Sequence, residues 1–409
     1  MRKWIIAATA LLLVACSAPQ TPEVSSPPNP TGETLSLDAQ GKTPTKTCTM
    51  PAETNTRAVR FDPSYYYGTG LSAAQLSDQL TAQWAQNGVN TVYFLAYNPT
   101  YGARYQTTYS GNVMEDWGRL DLLGNMLKAA SNRNIRVIAW LYDFRHGGAI
   151  KQNPGWASLD TAGLPYQAGD DSQFMTLASS SAETWYQGFI KDLLTRYPAL
   201  SGIDLAEPVV SWWGDAADHS SAMNSAFSAA YPGQAVGSDA WYTFRTGLLT
   251  RHLQKTISTV QAMCKTVHVT ATLTADASGK LLSSADLARA TGFDLNALLG
   301  GSVKPNVVNA ELIWQQWKDS YGGAVFTPEW TSSAAQQAKH MIAGRSRLVV
   351  HVETTPFGSV TPTSDELQTT LAAARSAGID GLDVYHTQRL DSEQAWGQVS
   401  AIYNPLAMQ

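Results

Sequence analysis

The sequence predicts a closed (β/α)8 barrel, an α/β fold of the TIM type, carried behind an N-terminal export signal and tether. Eight short apolar runs of strand type recur between residues 58 and 385, separated by segments of helical periodicity or long loops. The runs are almost continuously apolar, as in parallel strands covered on both faces. Eight such units are the number at which a parallel sheet closes on itself. An open doubly wound sheet is the alternative, but no GxGxxG follows the first strand, so no dinucleotide cofactor is expected.

At the start of the chain, Met1-Arg2-Lys3 is a basic segment, and Trp4 to Leu13 an apolar one too short to span a bilayer. Leu13-Val14-Ala15-Cys16 resembles the cleavage box of a bacterial lipoprotein. That resemblance implies removal of residues 1–15, a lipid on the Cys16 thiol, and an exported protein anchored to the cell envelope. Residues 16–50, rich in Pro, Ser and Thr, read as a flexible tether that lacks the apolar surface to fold. Residues 51–409 form the barrel domain. With Cys16 lipidated, Cys48 and Cys264 remain, a candidate disulfide in an oxidising compartment.

Strand one is Ala58 to Phe61, followed by a helix from Ser72 to Asn87 with Ser72 as N-cap and Gly88 as its stop. Strand two is Asn90 to Tyr97 with helix Arg119 to Arg133, and strand three is Ile135 to Tyr142 with helix Ala182 to Tyr197. Strand four, Ser201 to Leu205, leads into a long insertion, Val209 to Ala240, and helix Tyr242 to Lys265. Strand five is Val267 to Leu273 with a short helix Ser283 to Thr291, and strand six Asn306 to Ile313 with helix Ser332 to Ala343. Strand seven is Arg347 to Glu353 with helix Ser364 to Ser376, and strand eight Gly381 to Tyr385 with helix Ser392 to Tyr403.

Active sites of such barrels lie where the strands end. Strands one to three deliver Arg60, Asp62, Tyr97, Trp140, Tyr142, Asp143, Arg145 and His146 there, with Arg104 in the second loop. Strand four delivers Asp204, Glu207, Trp212 and Trp213; strand five Thr272; strand six Glu311 and Trp314. Strands seven and eight add Glu353, Asp383, Tyr385 and His386. Acids gathered among aromatic rings suit hydrolysis of a glycosidic bond, where one carboxyl protonates the leaving oxygen and another attacks or activates water. Burial and mutual repulsion then separate their pKa values and divide the roles. A single strand-end acid more often caps a helix or pairs with Arg; the cluster is what points to chemistry. With 13 Trp and 17 Tyr but few charges, the composition favours a neutral, hydroxyl-rich ligand. The net charge of −5 and the lack of a basic run argue against nucleic acid. No HxxEH or HxH spacing marks a metal centre, and no GxSxG elbow a serine nucleophile, so neither metal nor cofactor is expected.

From Gly88 to Pro208 the chain resembles the family-10-like glycosyl hydrolases and, more distantly, the barrel of poly-β-1,6-N-acetylglucosamine hydrolases. The resemblance rests on GVNTVYFLAY (Gly88 to Tyr97), RNIRVIAWLYDFR (Arg133 to Arg145), NPGWASLDTAG (Asn153 to Gly163) and RYPALSGIDLAEP (Arg196 to Pro208). Those families place an Asp pair after strand four, where this chain has Ala206 and Glu207. Clan-A retaining glycosidases are similar in having Glu-Pro after strand four and Glu at the end of strand seven. This implies Glu207 as acid/base and Glu353 as nucleophile, with Glu311 competing for the second role and Asp204 a further candidate. The expected substrate-binding set is Tyr97, Arg104, Trp140, Asp143, Trp212, Trp213, Trp314, Asp383, Tyr385 and His386. The resemblance implies a polysaccharide or oligosaccharide substrate, an amino-sugar exopolysaccharide or cell-wall glycan among them. The membrane anchor is the one the lipoprotein box implies, and a monomer is expected. The loss of an acid at Ala206 keeps open a barrel that binds carbohydrate without cleaving it.

Overall fold

The computed structural model describes Cys48, residues 55–167 and residues 172–407. The chain divides into two units, residues 1–47 and 48–409. The expected export signal, the expected lipidation of Cys16 and most of the expected tether fall outside the described residues.

Residues 48–409 form a parallel eight-stranded barrel. Its strands are β1 (Thr56–Phe61), β2 (Thr91–Asn98), β3 (Arg136–Tyr142), β4 (Gly202–Ala206), β5 (Thr266–Thr272), β6 (Val307–Glu311), β7 (Arg347–Glu353) and β8 (Gly381–Tyr385). Each pairs in parallel with its sequence neighbour, and β1 pairs with both β2 and β8, which closes the sheet. A two-residue strand, Gly102–Ala103, runs antiparallel to the end of β2. Gly202 starts β4 where its neighbour passes closest: a Cβ there would lie 2.3 Å from the Thr266 carbonyl oxygen.

The helices form because their apolar positions repeat with helical period and their ends are capped. Helix Ala73–Gln86 opens with a reciprocal capping box between Ser72 and Gln75. It is followed by Gly88 at φ +77°, a conformation glycine adopts without a Cβ penalty. Helix Asp239–Ala262 is capped by the Ser238 hydroxyl, and helix Ser364–Ser376 by a Thr363–Glu366 box. The large core lies between strands and helices, with Trp84, Leu123, Ile190, Leu253 and Leu371 packed against outward-facing strand residues such as Val59, Val92 and Val350.

Three segments differ from the sequence expectation. The run Asn306 to Ile313 is strand only over Val307–Glu311, and a helix, Trp314–Tyr321, follows at once. The insertion after β4 holds a helix, Ser221–Ala230, whose Met223 and Phe227 pack with Trp241 in a small core of their own. The final helix is Trp396–Ala407, preceded by a shorter one, Thr387–Ser392. Cys48 and Cys264 are joined by a disulfide with Cα atoms 5.1 Å apart, just beyond helix Asp239–Ala262.

Candidate active site

Because side chains alternate along a strand, every second residue of each barrel strand enters the lumen. These positions form layers. In the lumen below the mouth stand Arg60, Tyr93, Ile138, Asp204, Thr270, Asn309, His351 and Asp383, with His268 one step below Thr270, all buried. Arg60 is the hub. Its Nε donates to Asp383 Oδ2 at 2.7 Å, Nη1 to Asp204 Oδ2 at 3.0 Å, and Nη2 to Thr270 Oγ1 at 2.6 Å. Its guanidinium lies 4.8 Å and 4.9 Å from the ring centres of Tyr93 and Trp140. Burial works against the Arg60 charge, but Asp383 and Asp204 outweigh it and raise its pKa. Asp383 is held below the usual carboxylate range: burial opposes this, and Arg60 and His351 overcome it. Asp204 does point into the barrel, as its candidacy requires, and there it accepts from both Arg60 and Thr270.

One layer higher, at the C-terminal mouth, the carboxylates are less fully matched. After Ala206 the backbone takes a left-handed step at Glu207 (φ +52°), while the Glu207 N–H donates to the Thr270 carbonyl at 2.7 Å. Several other described residues share this conformation, Ala343 at a helix end among them, and at Glu207 it turns the chain out of the strand. The Glu207 carboxylate accepts from Arg145 Nη2 at 3.0 Å and keeps 25% of its side chain exposed. Arg145 comes from the turn after β3; its guanidinium packs 4.4 Å from the Phe174 ring centre, 5.1 Å from Tyr142 and 5.7 Å from Trp212.

Glu311, at the end of β6, accepts from the Thr272 hydroxyl and is 8% exposed. Burial pushes its pKa up to about 7; the nearby His351 charge opposes this, and the negative charge of Glu207 adds to it. Glu353, at the end of β7, accepts at one oxygen from the Thr355 N–H and hydroxyl, both at 2.7 Å. Its other oxygen lies 3.8 Å from His351 Nε2. Aromatic rings surround these acids: Trp140 lies edge-on to Tyr385 at 5.9 Å and 5.4 Å from Tyr142. Tyr65 stacks on His386 at 4.8 Å, and burial lowers the His386 pKa. The Trp140 Nε1 and His386 Nδ1 atoms have no hydrogen-bond partner among the described residues.

Glu207, Glu311, Glu353, Trp140, Tyr385, His386 and Trp212 are therefore brought to one mouth, and Trp213 lies beside them in the loop after β4, 77% exposed. Asp204 and Asp383 sit below, inside the Arg60 network. The remaining predicted binding residues lie elsewhere. Tyr97 is stacked on His146 at 3.9 Å in the outer core. Arg104 is buried between Asp62 at 2.6 Å and Glu115 at 3.0 Å. Asp143 is paired with His252 at 3.1 Å, and Trp314 packs in the outer core with Nε1 donating to Thr370 at 3.2 Å. No group of His, Cys, Asp and Glu among the described residues is arranged to hold a metal ion.

His351 was not among the sequence candidates. The signal was available, because it stands two residues before Glu353 and so shares its face of the strand. Asn309 before Glu311 and Thr270 before Thr272 follow the same rule.

No family model matches the chain, and no curated protein matches it. Among solved structures it is similar to the PgaB (BpsB) glycoside hydrolase domain from Bordetella bronchiseptica, with 15% identity and a TM-score of 0.63 over 85% of this chain and 99% of that one. It is also similar to the β-galactosidase from the psychrophilic Marinomonas ef1 (12%, TM-score 0.59, 85% of this chain and 59% of that one). A third is the α-L-fucosidase isoenzyme 2 from Paenibacillus thiaminolyticus (13%, TM-score 0.56, 86% and 49%). The chain spans about half the length of those last two. At these identities the likeness is one of fold alone, the (β/α)8 barrel.

Proposed function

We propose that this chain is a glycoside hydrolase that cleaves O-glycosidic bonds of a polysaccharide, exported and held at the cell envelope by a lipid on Cys16. The observation that carries the reading is the grouping of Glu207, Glu311 and Glu353 at one aromatic-lined mouth, with one of the three buried enough to hold its proton near neutrality. That asymmetry is what acid catalysis of acetal cleavage requires. Glu311 donates its proton to the glycosidic oxygen as the bond from that oxygen to the anomeric carbon breaks. The positive charge that grows on the sugar ring faces the carboxylates of Glu207 and Glu353, one of which attacks or activates water. Glu311 is the buried acid of the two, while Glu207 is partly exposed and held by Arg145, so Glu311 is favoured as the proton donor.

Trp140, Tyr142 and Tyr385 supply flat apolar faces inside the mouth, and Trp212 and Trp213 extend them outward, as a chain of sugar rings requires. Ala206, opposite Tyr142 in the β3–β4 register, contributes no polar group. An amino-sugar exopolysaccharide or a cell-wall glycan fits an exported, tethered enzyme of this kind. The test is release of reducing ends from a panel of such glycans by the purified chain and by Glu207→Gln and Glu311→Gln. Each substitution should reduce turnover by about 10²–10⁴-fold. Full activity in both would refute the proposal, and glycan binding with no release of reducing ends would favour the binding-only barrel that Ala206 suggests.

A further inference from the structure

We infer that His351 is a positioning residue for the mouth carboxylates: a buried positive charge, anchored from below by Asp383, that orients Glu353 and balances Glu311. The inference deepens the proposed hydrolysis and rests on that reading for its catalytic meaning.

The geometry is a chain of charges running up the lumen. Asp383 Oδ2, itself bound to Arg60 Nε at 2.7 Å, lies 3.0 Å from His351 Nδ1. The opposite ring nitrogen, Nε2, faces Glu353 Oε2 at 3.8 Å. The imidazole therefore lies between two carboxylates, one toward each nitrogen, with Arg60 Nε also 3.2 Å from Nδ1. A proton on both nitrogens sets positive charge against both acids, which a single N–H cannot do. His351 is also Glu311's partner in the β6–β7 register. The charged and titratable groups facing it are Arg60 from β1, Glu311 from β6, Glu353 from its own strand, and Asp383 and Tyr385 from β8. Arg60 is already engaged by Asp204 and Asp383, so the added cation answers to the mouth. Burial favours the neutral ring, yet Asp383 and Glu353 raise its pKa to about 9.

Two consequences follow. Glu353 is hydrogen-bonded at one oxygen by Thr355, and the charge of His351, 3.8 Å away, favours the orientation that turns the other oxygen toward it. Glu311 feels a positive charge that opposes its burial, so it loses its proton at a lower pH than burial and Glu207 alone would impose. His351 touches no reacting atom and acts through these two acids.

The test uses the full chain. ¹⁵N NMR of the wild-type protein should show the His351 ring doubly protonated at pH 7 and remaining so until about pH 9. In His351→Gln, which keeps a neutral hydrogen-bonding side chain, the Glu311 carboxyl should titrate about one pH unit higher by ¹³C NMR. The basic limb of the hydrolysis profile should move with it. A merely structural role would lower activity at every pH without moving that limb. A neutral ring at pH 7, or an unmoved Glu311 midpoint in the folded variant, would overturn the inference. If the variant does not fold, the wild-type ring titration decides alone. Hydrolysis with a neutral ring would defeat this inference only; both titrations as expected without any hydrolysis would defeat the functional reading and leave the charge assignment standing.

Discussion

The middle and the mouth of the barrel are built from the same strands, yet they handle charge in opposite ways. Two residues along a strand separate them: Asn309 from Glu311, His351 from Glu353, Asp383 from Tyr385. At mid-height Asp204 and Asp383 share Arg60, and Thr270 adds a further donor to Asp204. At the mouth, Glu311 has a hydroxyl partner and a pKa that stays raised despite the charges of His351 and Arg60, and Arg145 is committed to Glu207. The difference teaches that position at a strand end does not make an acid chemical. What does is burial that the nearby counter-charges do not fully offset, as at Glu311.

The sharpest way to break that comparison is to remove the hub. Arg60→Met leaves Asp204 and Asp383 facing the lumen without their guanidinium, so it should cost about 3–5 kcal/mol of stability, measured by urea unfolding. A loss below about 1 kcal/mol would mean the middle layer is not held by charge pairing at all.

A second matched cluster, outside the lumen, extends the test to pH. His252 on helix Asp239–Ala262 bridges Asp143 at 3.1 Å and Glu183 at 2.6 Å, tying that helix and helix Ser180–Arg196 to the end of β3. Burial lowers its affinity for a proton, but Asp143 and Glu183 prevail and lift its pKa from 6.5 to about 10. A folded-state pKa above the unfolded one gives stability that is complete below about pH 6.5 and is lost as pH rises through about 10. The difference in unfolding free energy between wild type and His252→Ala, measured by urea unfolding, should be largest near pH 6, about 3 kcal/mol, and shrink across that window. A pH-independent difference would show that the bridge is not ionic.

Mouth acids should behave the other way. Glu311→Gln removes a carboxyl that burial and Glu207 already disfavour as an anion. Above pH 7 the variant should be as stable as wild type or better by about 1 kcal/mol, while turnover collapses. The wild-type activity profile should fall above about pH 7, where Glu311 gives up its proton. Stability lost alongside activity would place Glu311 with the matched acids below it.

How far the sequence reveals this layering depends on period and partner. The eight strands are readable because their apolar runs are short and bounded, and their rims because Glu207, Glu311 and Glu353 end them. The lumen face is readable in principle from polar residues two apart, as in His351–Glu353 and Asn309–Glu311, since a polar residue inside a covered strand has few places to point. What no local pattern reveals is pairing across the sheet. Arg104 looks like a free rim cation until Asp62 and Glu115 enclose it, and Asp143 looks like a site acid until His252, 109 residues away, meets it. Trp314 was a different case. Its three-residue spacing from Trp317 signals helix rather than rim, and the ring accordingly faces the core.

The smallest expected effect separates aromatic residues as the larger ones separate acids. Trp213 is the most exposed large ring of the described residues, one position from Trp212, which packs near Arg145. Its removal exposes no core, so Trp213→Ala should leave Tm within about 1 °C of wild type, in keeping with surface substitutions worth under about 0.5 kcal/mol. If it is a sugar platform, KM for a long glycan should rise by about five-fold, near 1 kcal/mol of lost stacking, with kcat little changed. A short oligosaccharide that ends inside the mouth should show no change, because it never reaches the ring. An equal rise for short and long substrates would place Trp213 against the reacting sugar, and no rise for either would remove it from the binding surface.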